Sequence, residues 1–461
     1  MTDFGNRNIS RRQWLQVSSP TFGSLVLASL VGDIARAGSG PLAARLTHHA
    51  QRAKRVIFLF MNGGPSQMDL LDYKPGLNER DGQAGRNDGR ELMGSPWKFA
   101  RHGKAGLWFS ELLPHLAGQA DHLCIIHSMQ TDSSSHPQAV PLLHTGSFQF
   151  TRPSLGSWVL HGLGSENSHL PGFMTVNPTR VFGGPSNYGS AFLPTAYQAT
   201  RIGWEKKSLR DAQVANAVPP AADSIADANL RLTQSLNRKL LERHPSNQPI
   251  QGLIDSLTLS SRMQETIPHL MDLATETKET LDLYGIDQKP TDNFARQCLL
   301  ARRFVESGVR FVQLTHHGWD LHSNLPHLVD RCREVDQPVA ALLADLHRRG
   351  LLDDTLVVWT GEFGREPEAQ ADHKDRAAGR DHNAKGFCLW MAGGGVRSGF
   401  SYGKTDELGF EAVENKVHLH DLHATILHLL GLDHTQLTFR YSGRDFRLTD
   451  VHGQVVHNII A

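Results

Sequence analysis

Residues 56–65 read Val-Ile-Phe-Leu-Phe-Met-Asn-Gly-Gly-Pro, and this stretch decides the fold class. A short apolar run that ends in a polar or glycine-rich loop is typical of a strand buried on both faces of a parallel sheet. Four further runs have this form, and they span residues 123–126, 309–314, 356–359 and 387–391. We therefore expect five buried strands that run parallel to one another.

Helical patterns lie between these strands, for example over residues 293–307 and 338–349. This alternation predicts an α/β fold with a doubly wound, mostly parallel sheet and helices on both faces. The pattern turns helical over residues 223–284, which indicates a helical insertion in a single domain that spans residues 50–461. The insertion is either a structural layer or a lid over a substrate. In sheets of this kind, sites lie at the carboxyl ends of the strands.

The N-terminus has the three parts of an export signal. Residues 10–16 read Ser-Arg-Arg-Gln-Trp-Leu-Gln, an apolar segment follows over residues 17–32, and Ala35-Arg36-Ala37 offers a small-residue cleavage site. A membrane anchor is the alternative, but the segment contains Ser, Thr and Pro and is short for a span of about 20 residues. We expect a twin-arginine signal peptide over residues 1–37, the twin-arginine export machinery as a partner, and a periplasmic or extracellular location. No stable membrane span is expected after cleavage.

Charge and cysteine content limit the possible functions. The chain has 47 basic and 47 acidic residues, and removal of residues 1–37 leaves 43 basic and 45 acidic residues, a net charge of −2. A balance so close to zero gives no indication of a nucleic-acid partner. The four cysteines are far apart in the sequence and form no Cys-x-x-Cys pair, so a disulfide framework is not expected.

Polar residues follow the strand-like runs at the positions where ligands are expected. Asn62 and Asp69 belong to the loop after the first run, where two glycines allow the backbone to approach a bound group closely. Asp320 and His322 lie two residues apart after the third run. A carboxylate and an imidazole that face the same point suit zinc or manganese. A polar loop without a metal is the alternative for this pair.

Two further loops contain acidic, basic and histidine residues together. Glu362 directly follows a strand-like run, and Arg365 comes three residues later. This arrangement resembles a metal ligand beside an oxyanion-binding guanidinium, although a salt-bridged turn has the same appearance. Arg380, Asp381 and His382 precede the last apolar run. Packing alone does not explain such a loop.

The segment Ser133-Ser134-Ser135-His136-Pro137 is the candidate source of a nucleophile. Hydroxyl groups and an imidazole beside a strand end suit a nucleophile or a general acid, and Ser135 and His136 are the two candidates. A serine-rich loop without a catalytic role is the alternative.

Taken in order, these segments resemble the alkaline phosphatase and sulfatase superfamily. The spacing of ten residues from His136 to Gly146, which closes on Leu-His-Thr-Gly, is similar to the sulfatase nucleophile segment. The closer resemblance is to a sulfatase-like, twin-arginine exported branch, the domain of unknown function 1501 family. Its Gly-Gly-Pro-Ser-Gln, Gly-Trp-Asp-x-His, Glu-Phe-Gly-Arg and Gly-Arg-Asp-His motifs all stand in this chain.

The resemblance implies a hydrolase of sulfate or phosphate esters that binds one or two divalent cations, with zinc, manganese and calcium all open. The implied substrate is a small-molecule or polysaccharide ester. The alternative is a member of the same fold that binds a metal or a polysaccharide without catalysis. The implied metal ligands are Asn62, Asp69, Asp320, His322, Glu362 and His382, and the implied catalytic residues are Ser135, His136, Arg365 and Arg380.

The chain departs from the superfamily pattern at three positions. Asn62 stands where the superfamily has a metal-binding aspartate, and Glu362-Phe363 replaces an Asp-His pair. The loss of a charge and an imidazole implies weaker binding of one of two metals. His136 stands at the nucleophile position, which leaves no cysteine for conversion to formylglycine.

Overall fold

A nine-stranded sheet forms the centre of the protein, as seen in a computed structural model that describes residues 42–87, 89–205, 207–212, 225–243, 248–370 and 378–461. Its nine strands are β1 (Arg55–Asn62), β4 (Leu123–Gln130), β5 (Phe173–Val176), β6 (Thr200–Ile202), β7 (Phe311–His317), β8 (Thr355–Thr360), β11 (Phe387–Ala392), β12 (Phe400–Tyr402) and β15 (Val417–His418). Eight of them follow the order β12-β4-β11-β8-β1-β7-β5-β6, and β15 pairs with β4 outside this path.

Eight of these nine strands point in one direction, and β11 runs against them. Strand β1 pairs in parallel with β7 and β8, β5 with β6 and β7, and β4 with β12 and β15. Strand β11 is antiparallel to both β4 and β8. The prediction that residues 387–391 form a parallel strand is therefore wrong. Strands β9 (Gly364–Ala369) and β10 (Arg380–Asn383), which come between β8 and β11 in the chain, pair with each other outside the sheet, so that β11 enters the sheet from the edge at which β8 ends.

Helices cover both faces of the sheet. Alternate residues of β1 point to opposite faces, so that Ile57 and Leu59 join one apolar core and Phe58 and Phe60 join the other. The first core is completed by helices α7 (Gln248–Met271), α9 (Asp292–Glu306) and α10 (His327–Arg348). The second is completed by α4 (His136–Thr145), α5 (Leu155–Leu163) and α11 (Leu419–Leu429). The predicted α/β fold with a mostly parallel, doubly covered sheet is confirmed.

The remaining elements are short, apart from one long helix. Helix α6 (Ile225–Arg243) precedes α7, and both fall in the stretch predicted as a helical insertion, as does α8 (Lys278–Tyr284). The other helices are α1 (Gln67–Leu70), α2 (Pro75–Glu79) and α3 (Pro114–Ala117). Two-stranded sheets pair β2 (Phe99–His102) with β3 (Leu107–Ser110), β9 (Gly364–Ala369) with β10 (Arg380–Asn383), β13 (Lys404–Thr405) with β14 (Ala412–Glu414) and β16 (Phe439–Tyr441) with β17 (Arg444–Phe446).

The predicted export signal over residues 1–37 lies outside the described residues. Within the described ranges, no helix combines the length and apolar character that a membrane span needs. All four cysteines are buried free thiols.

The carboxyl edge of the sheet gathers the loops that the sequence singled out. Strands β1, β7 and β8 end there side by side, since Asn62 pairs with His317 and Phe60 with Thr360. Strand β4 runs in the same direction and leads into α4. The β9–β10 hairpin, which connects β8 to β11, lies beside the loop after β7, because Ser323 bridges to Ala378.

Candidate metal centre

Four side chains from three distant parts of the chain converge at the carboxyl edge of the sheet. They are His136, Asp320, His322 and His382, and one ligand atom of each lies within 4.8 Å of the others. We call this set the donor cluster. His136 is the first residue of α4, Asp320 and His322 follow β7, and His382 lies on β10. The structure thus brings three of the predicted metal ligands together with one predicted catalytic residue.

The distances within the donor cluster are short. Asp320 Oδ1 lies 2.9 Å from His322 Nε2 and 3.0 Å from His382 Nε2, while Asp320 Oδ2 lies 3.2 Å from His136 Nε2. The Nε2 atoms of His322 and His382 are 2.8 Å apart. Ligand atoms around a tetrahedral ion with bonds of about 2.0–2.1 Å lie about 3.3 Å apart. Slight outward movement of these side chains would therefore accommodate an ion.

Each histidine of the donor cluster is held through its other ring nitrogen. His136 Nδ1 donates to Glu362 Oε1 at 2.6 Å, and His382 Nδ1 donates to the carbonyl oxygen of Ser134 at 2.6 Å. His322 Nδ1 donates to the side-chain oxygen of Gln370. With the proton on Nδ1, each Nε2 carries a lone pair toward the Asp320 carboxylate. Histidines that bind metals are oriented in this way in proteins.

The three Nε2 lone pairs and the Asp320 carboxylate repel one another unless a cation or a proton lies between them. His136 Nε2 is buried and makes no hydrogen bond of good geometry among the described residues. Burial lowers the pKa of His136, but its close contacts with the carboxylates of Asp320 and Glu362 outweigh this effect and raise it to about 9. Burial raises the pKa of Asp320, whereas hydrogen bonds with His136, His382 and Arg365 hold it far below its usual range. Three imidazoles and one carboxylate are a donor set that fits zinc or manganese.

The donor cluster is open on one side. The Asp320 side chain is 43% exposed and that of His322 is 34% exposed, whereas Glu362 behind His136 is fully buried. Phe182 stacks on the His136 ring at 5.0 Å, and Phe363 contacts the rings of His136 and His382 at 4.8 and 4.3 Å. The apolar walls shield the inner side, and Asp320 and His322 face solvent.

Glu362 ties the loop after β1 to the cluster. Its two carboxylate oxygens accept hydrogen bonds of 3.1 Å from the backbone N–H of Gly63, and one of them also accepts from His136. Gly63 has a φ of 123°, and a Cβ there would collide with the backbone nitrogen of Asp320. Only glycine permits this close approach, which accounts for the first glycine of the Gly-Gly-Pro loop.

Arg365 anchors three loops from inside the protein. Its guanidinium is almost fully buried and donates to Asp320 Oδ1 at 2.7 Å, to the Trp319 carbonyl at 3.1 Å and to the Gly64 carbonyl at 2.8 Å. It also donates to the carbonyls of Gly63 and Arg380. Of the four donor-cluster residues, Arg365 donates a hydrogen bond to Asp320, and it acts on the open side of the cluster through this contact.

The other predicted site residues lie in different surroundings. Arg380 is fully buried and pairs with the buried Asp69, with hydrogen bonds of 2.8 and 3.1 Å between guanidinium and carboxylate. Asn62 lies at the end of β1 and donates to His317 Nδ1 at 3.3 Å. Ser135 precedes α4 and is exposed, and its hydroxyl does not cap the helix.

Several groups around the cluster were not predicted from the sequence. Gln370, the Ser134 carbonyl, Phe182 and Phe363 hold or cover the histidines. Phe363 stands within the Glu-Phe-Gly-Arg motif, which is the one available signal. A backbone carbonyl has no sequence signature, and Gln370 lies five residues beyond Arg365 without any pattern that marks it.

A second group of possible metal ligands consists of Asp72, His127 and Cys388. His127 Nδ1 lies 3.3 Å from the Cys388 sulfur and 3.7 Å from Asp72 Oδ1. The same Asp72 oxygen is 3.0 Å from the Lys74 amine. Since this ammonium group already balances the carboxylate, the donor cluster around Asp320 fits a cation better.

Comparison with known proteins supplies a family and several distant structural likenesses. The chain is similar to the lipoteichoic acid synthase LtaP from Listeria monocytogenes, with 10% identity and a TM-score of 0.40 over 91% of this chain and 80% of that one. It is similar to the PsFucS1 sulfatase from Pseudoalteromonas sp., with 14% identity and a TM-score of 0.34 over 83% and 68% of the two chains. It is also similar to the alkaline phosphatase from the Antarctic bacterium TAB5, with 9% identity and a TM-score of 0.33 over 82% of this chain and 99% of that one.

No curated protein matches the sequence. One protein family, described as a protein of unknown function (DUF1501), matches residues 53–460, which is most of the chain. The match includes the loops of all four donor-cluster residues. The chain therefore belongs to the DUF1501 family.

Proposed function

We propose that this protein is a metal-dependent hydrolase of sulfate or phosphate esters. The observation that supports it is the donor cluster, in which three Nε2 atoms and the Asp320 carboxylate converge while every Nδ1 is held by another group. In this proposal His136, Asp320, His322 and His382 hold one divalent cation. A bound cation supplies Lewis-acid stabilisation of the ester oxygens and activates a water molecule.

The surrounding residues prepare the site. Glu362 orients His136 and keeps its proton on Nδ1, and Arg365 fixes one oxygen of Asp320. The open side beside Asp320 and His322 admits the ester. In hydrolysis a water oxygen bonds to sulfur or phosphorus, the bond to the ester oxygen breaks, and the alcohol leaves with one proton of the water. The attacking group in this proposal is water, because His136 is engaged on both ring nitrogens.

The proposal changes the roles that the sequence suggested for several residues. We assign His136 to the ligand set and Glu362 to its support. Asp69 and Arg380 form a buried ion pair, to which we assign a structural role. Ser135 is exposed beside the cluster. The variant Ser135→Ala removes its hydroxyl group and therefore tests whether a serine hydroxyl or a water molecule attacks the ester.

Metal analysis of the purified protein and a panel of sulfate and phosphate esters test the proposal. We expect about one divalent cation per chain and ester hydrolysis that a chelator abolishes. His382→Ala should lower hydrolysis at least about 100-fold, since removal even of a group that supports a metal ligand costs about 10- to 100-fold. His327→Ala is the matched control, because His327 is an exposed histidine outside the cluster. Equal turnover by the parent and His382→Ala would refute the proposal.

Binding without catalysis is the alternative function. It predicts that the purified protein holds a cation, that His382→Ala removes it, and that no ester of the panel is cleaved faster than in buffer. Metal content and turnover measured on the same samples separate the two functions.

We also propose that the chain is exported by the twin-arginine pathway. The order of charged region, apolar segment and small-residue site in residues 1–37 supports this proposal. Replacement of Arg11 and Arg12 together by lysine should retain the protein in the cytoplasm with its signal uncleaved. Unchanged export of this variant, as measured by cell fractionation, would contradict the proposal.

A further inference from the structure

A group of aromatic side chains lies at the surface near the end of α4. We call it the aromatic patch, and its members are Phe150, Phe192, Phe439, Tyr441 and Phe446. Phe150 is 62% exposed and Tyr441 is 48% exposed, and the other three are half-buried. Large exposed apolar groups that cluster on a surface mark binding sites more often than isolated ones do.

The rings of the aromatic patch are ordered by stacking. Phe192 stacks on both Phe439 and Tyr441, with ring centroids 6.0 and 5.0 Å away and interplanar angles of 17° and 15°. Phe446 contacts Phe192 at 5.1 Å. Offset stacking of this kind holds ring faces in fixed directions. The patch is therefore a preformed surface rather than a set of independent side chains.

Arg152 lies among these rings with its hydrogen-bond donors unused. Its guanidinium carbon is 4.3 Å from the Phe446 ring centre, 5.1 Å from that of Phe150 and 6.0 Å from that of Phe192. It is half-buried, and in the described part of the chain it has neither a hydrogen bond nor an ion pair, while the charges of Asp450 and Arg444 act on it from a longer distance. Arg444, which also lies over Phe446, pairs with Asp450. Arg152 is thus oriented by the rings and available to an oxyanion.

The aromatic patch and the donor cluster are connected by the same two elements. Helix α4 begins at His136 and ends at Thr145, a length of about 15 Å at about 1.5 Å per residue. Gly146 directly follows this helix and packs against Leu448, because a Cβ on Gly146 would collide with the Leu448 carbonyl oxygen. Leu448 follows the β16–β17 hairpin, which carries Phe439, Tyr441 and Phe446 of the aromatic patch. The loop from Phe182 to Phe192 is the second connecting element: Phe182 stacks on the His136 ring at its start, and Phe192 belongs to the aromatic patch at its end.

We infer that the aromatic patch and Arg152 bind an anionic polysaccharide, the polymer whose ester is cleaved at the donor cluster. This inference rests on the proposed function for the reaction and on the patch for the substrate class. Sugar rings pack their C–H faces on aromatic rings, and sulfate or phosphate groups accept hydrogen bonds from Arg152. Asp445 on β17 and Asp450 just after it already pair with Arg440 and Arg444, which leaves Arg152 to the anionic groups of the polymer.

Affinity electrophoresis of the full protein in gels with dextran sulfate or uncharged dextran tests the inference. The net charge of the chain is zero and falls to −2 after cleavage, so overall attraction does not retain it. We expect retention by dextran sulfate, about tenfold weaker binding for Arg152→Gln, and weaker binding for Tyr441→Ala. Arg101→Gln is the matched control, because Arg101 lies over Trp108 at 4.9 Å outside the patch. Its binding should equal that of the parent.

The outcomes separate the polysaccharide from other partners. Equal retention of Arg152→Gln, Tyr441→Ala and the parent overturns the inference, provided that all three unfold at the same temperature. A shift of oligomeric state in these variants without a change in retention also overturns it, since the patch would then join two copies of the chain. Binding to phosphatidylglycerol vesicles that Tyr441→Ala abolishes, without retention by dextran sulfate, assigns the patch to a membrane.

The inference and the proposed function fail independently. Turnover of a small ester should be the same in Arg152→Gln and in the parent, because Arg152 lies outside the donor cluster. If no small ester is cleaved while dextran sulfate is still bound through the patch, the proposed function fails and the polymer site stands. If small esters are cleaved and no polymer is bound, the inference fails and the proposed function stands.

Discussion

Glu362 is the residue that most directly controls the state of His136. Its carboxylate is fully buried, receives the Nδ1 proton of His136 at 2.6 Å and contacts no other histidine of the cluster. Glu362→Ala removes this support without removing a proposed ligand. We expect metal affinity to fall about 10- to 100-fold, as it does when groups behind a metal ligand are lost. Competition with a chromophoric chelator measures the affinity.

A control for this variant comes from a carboxylate–histidine pair elsewhere in the chain. Asp330 Oδ2 lies 3.4 Å from His327 Nδ1 at the exposed start of α10. Asp330→Ala should leave the metal affinity at the parental value. An equal loss in both variants would mean that Glu362 acts on overall stability and not on His136.

His144 and His423 are buried histidines outside the donor cluster that make the fold sensitive to acid. Burial lowers the pKa of each to about 3, so both are neutral in the folded protein at pH 7. The unfolded chain takes up protons near pH 6.5, whereas the folded chain does not. Stability is therefore complete above about pH 6.5 and falls as the pH decreases toward 3.

The expected size of this effect is about 2 kcal/mol per histidine between pH 6.5 and pH 5, at about 1.4 kcal/mol for each pH unit. His144→Leu keeps an apolar group against Phe60 and removes one of the two titrations. Urea unfolding at about pH 7.5 and about pH 5 should show that the variant loses about 2 kcal/mol less than the parent. An identical loss in the two proteins would contradict the assignment of acid sensitivity to His144.

At the scale of elements, the β9–β10 hairpin is attached to helix α1 by a buried ion pair. Arg380 on β10 and Asp69 on α1 are both fully buried. Asp69→Ala leaves a buried guanidinium without its counter-charge, and such a loss costs about 3–5 kcal/mol. We expect this decrease in the free energy of unfolding by urea. Because β10 carries His382, metal affinity should fall as well.

The double variant Asp69→Leu with Arg380→Met tests whether the stability lost in Asp69→Ala comes from the unpaired charge or from the loss of packing. Replacement of both partners of a buried pair by apolar groups is often neutral. Most of the lost stability should therefore return in the double variant. Arg380 also donates hydrogen bonds to the backbone carbonyls of Met93 and Gly94. Stability that stays as low as in Asp69→Ala would show that these hydrogen bonds matter more than the pairing with Asp69.

The sequence was sufficient to locate strands but not to orient all of them. Residues 56–60 and 356–359 lie in β1 and β8, and residues 311–314 of the run 309–314 lie in β7, because apolar runs buried on both faces are visible as uninterrupted patterns. The direction of β11 was not predictable, since a buried antiparallel strand has the same apolar run as a parallel one. Its direction depends on the path of the β9–β10 hairpin, and no residue in 387–391 records that path.

For the site, the sequence identified residues better than roles. Asp320 and His322 stand in the donor cluster because they follow β7 at the carboxyl edge of the sheet. His382 comes to the same edge because β11, which it precedes, is antiparallel to β8 and begins there. His136 was placed among the nucleophile candidates, since its spacing to Gly146 says nothing about the direction of its ring nitrogens. That Arg380 pairs with Asp69 is a contact across more than 300 residues, which local patterns do not encode.

At the scale of the whole molecule, the proposed metal joins segments that are far apart in the chain. His136 comes from the start of α4, Asp320 and His322 from the loop after β7, and His382 from the β9–β10 hairpin. The unfolded chain does not hold these ligands together, so it binds the cation much more weakly than the folded chain does. Binding is therefore linked to folding, and the free energy of unfolding must rise with metal concentration.

The final prediction is that removal of the metal lowers the unfolding temperature. A cation at about 100 times its Kd stabilises the folded chain by about 2.7 kcal/mol. We expect calorimetry to show a lower midpoint after chelation, recovery when zinc or manganese is returned, and no metal response in His322→Gln. His322 is the right residue to replace because its side chain is 34% exposed and its loss leaves little buried space. A midpoint that ignores chelation and metal addition in the parent would mean that the four side chains do not act as one cation site.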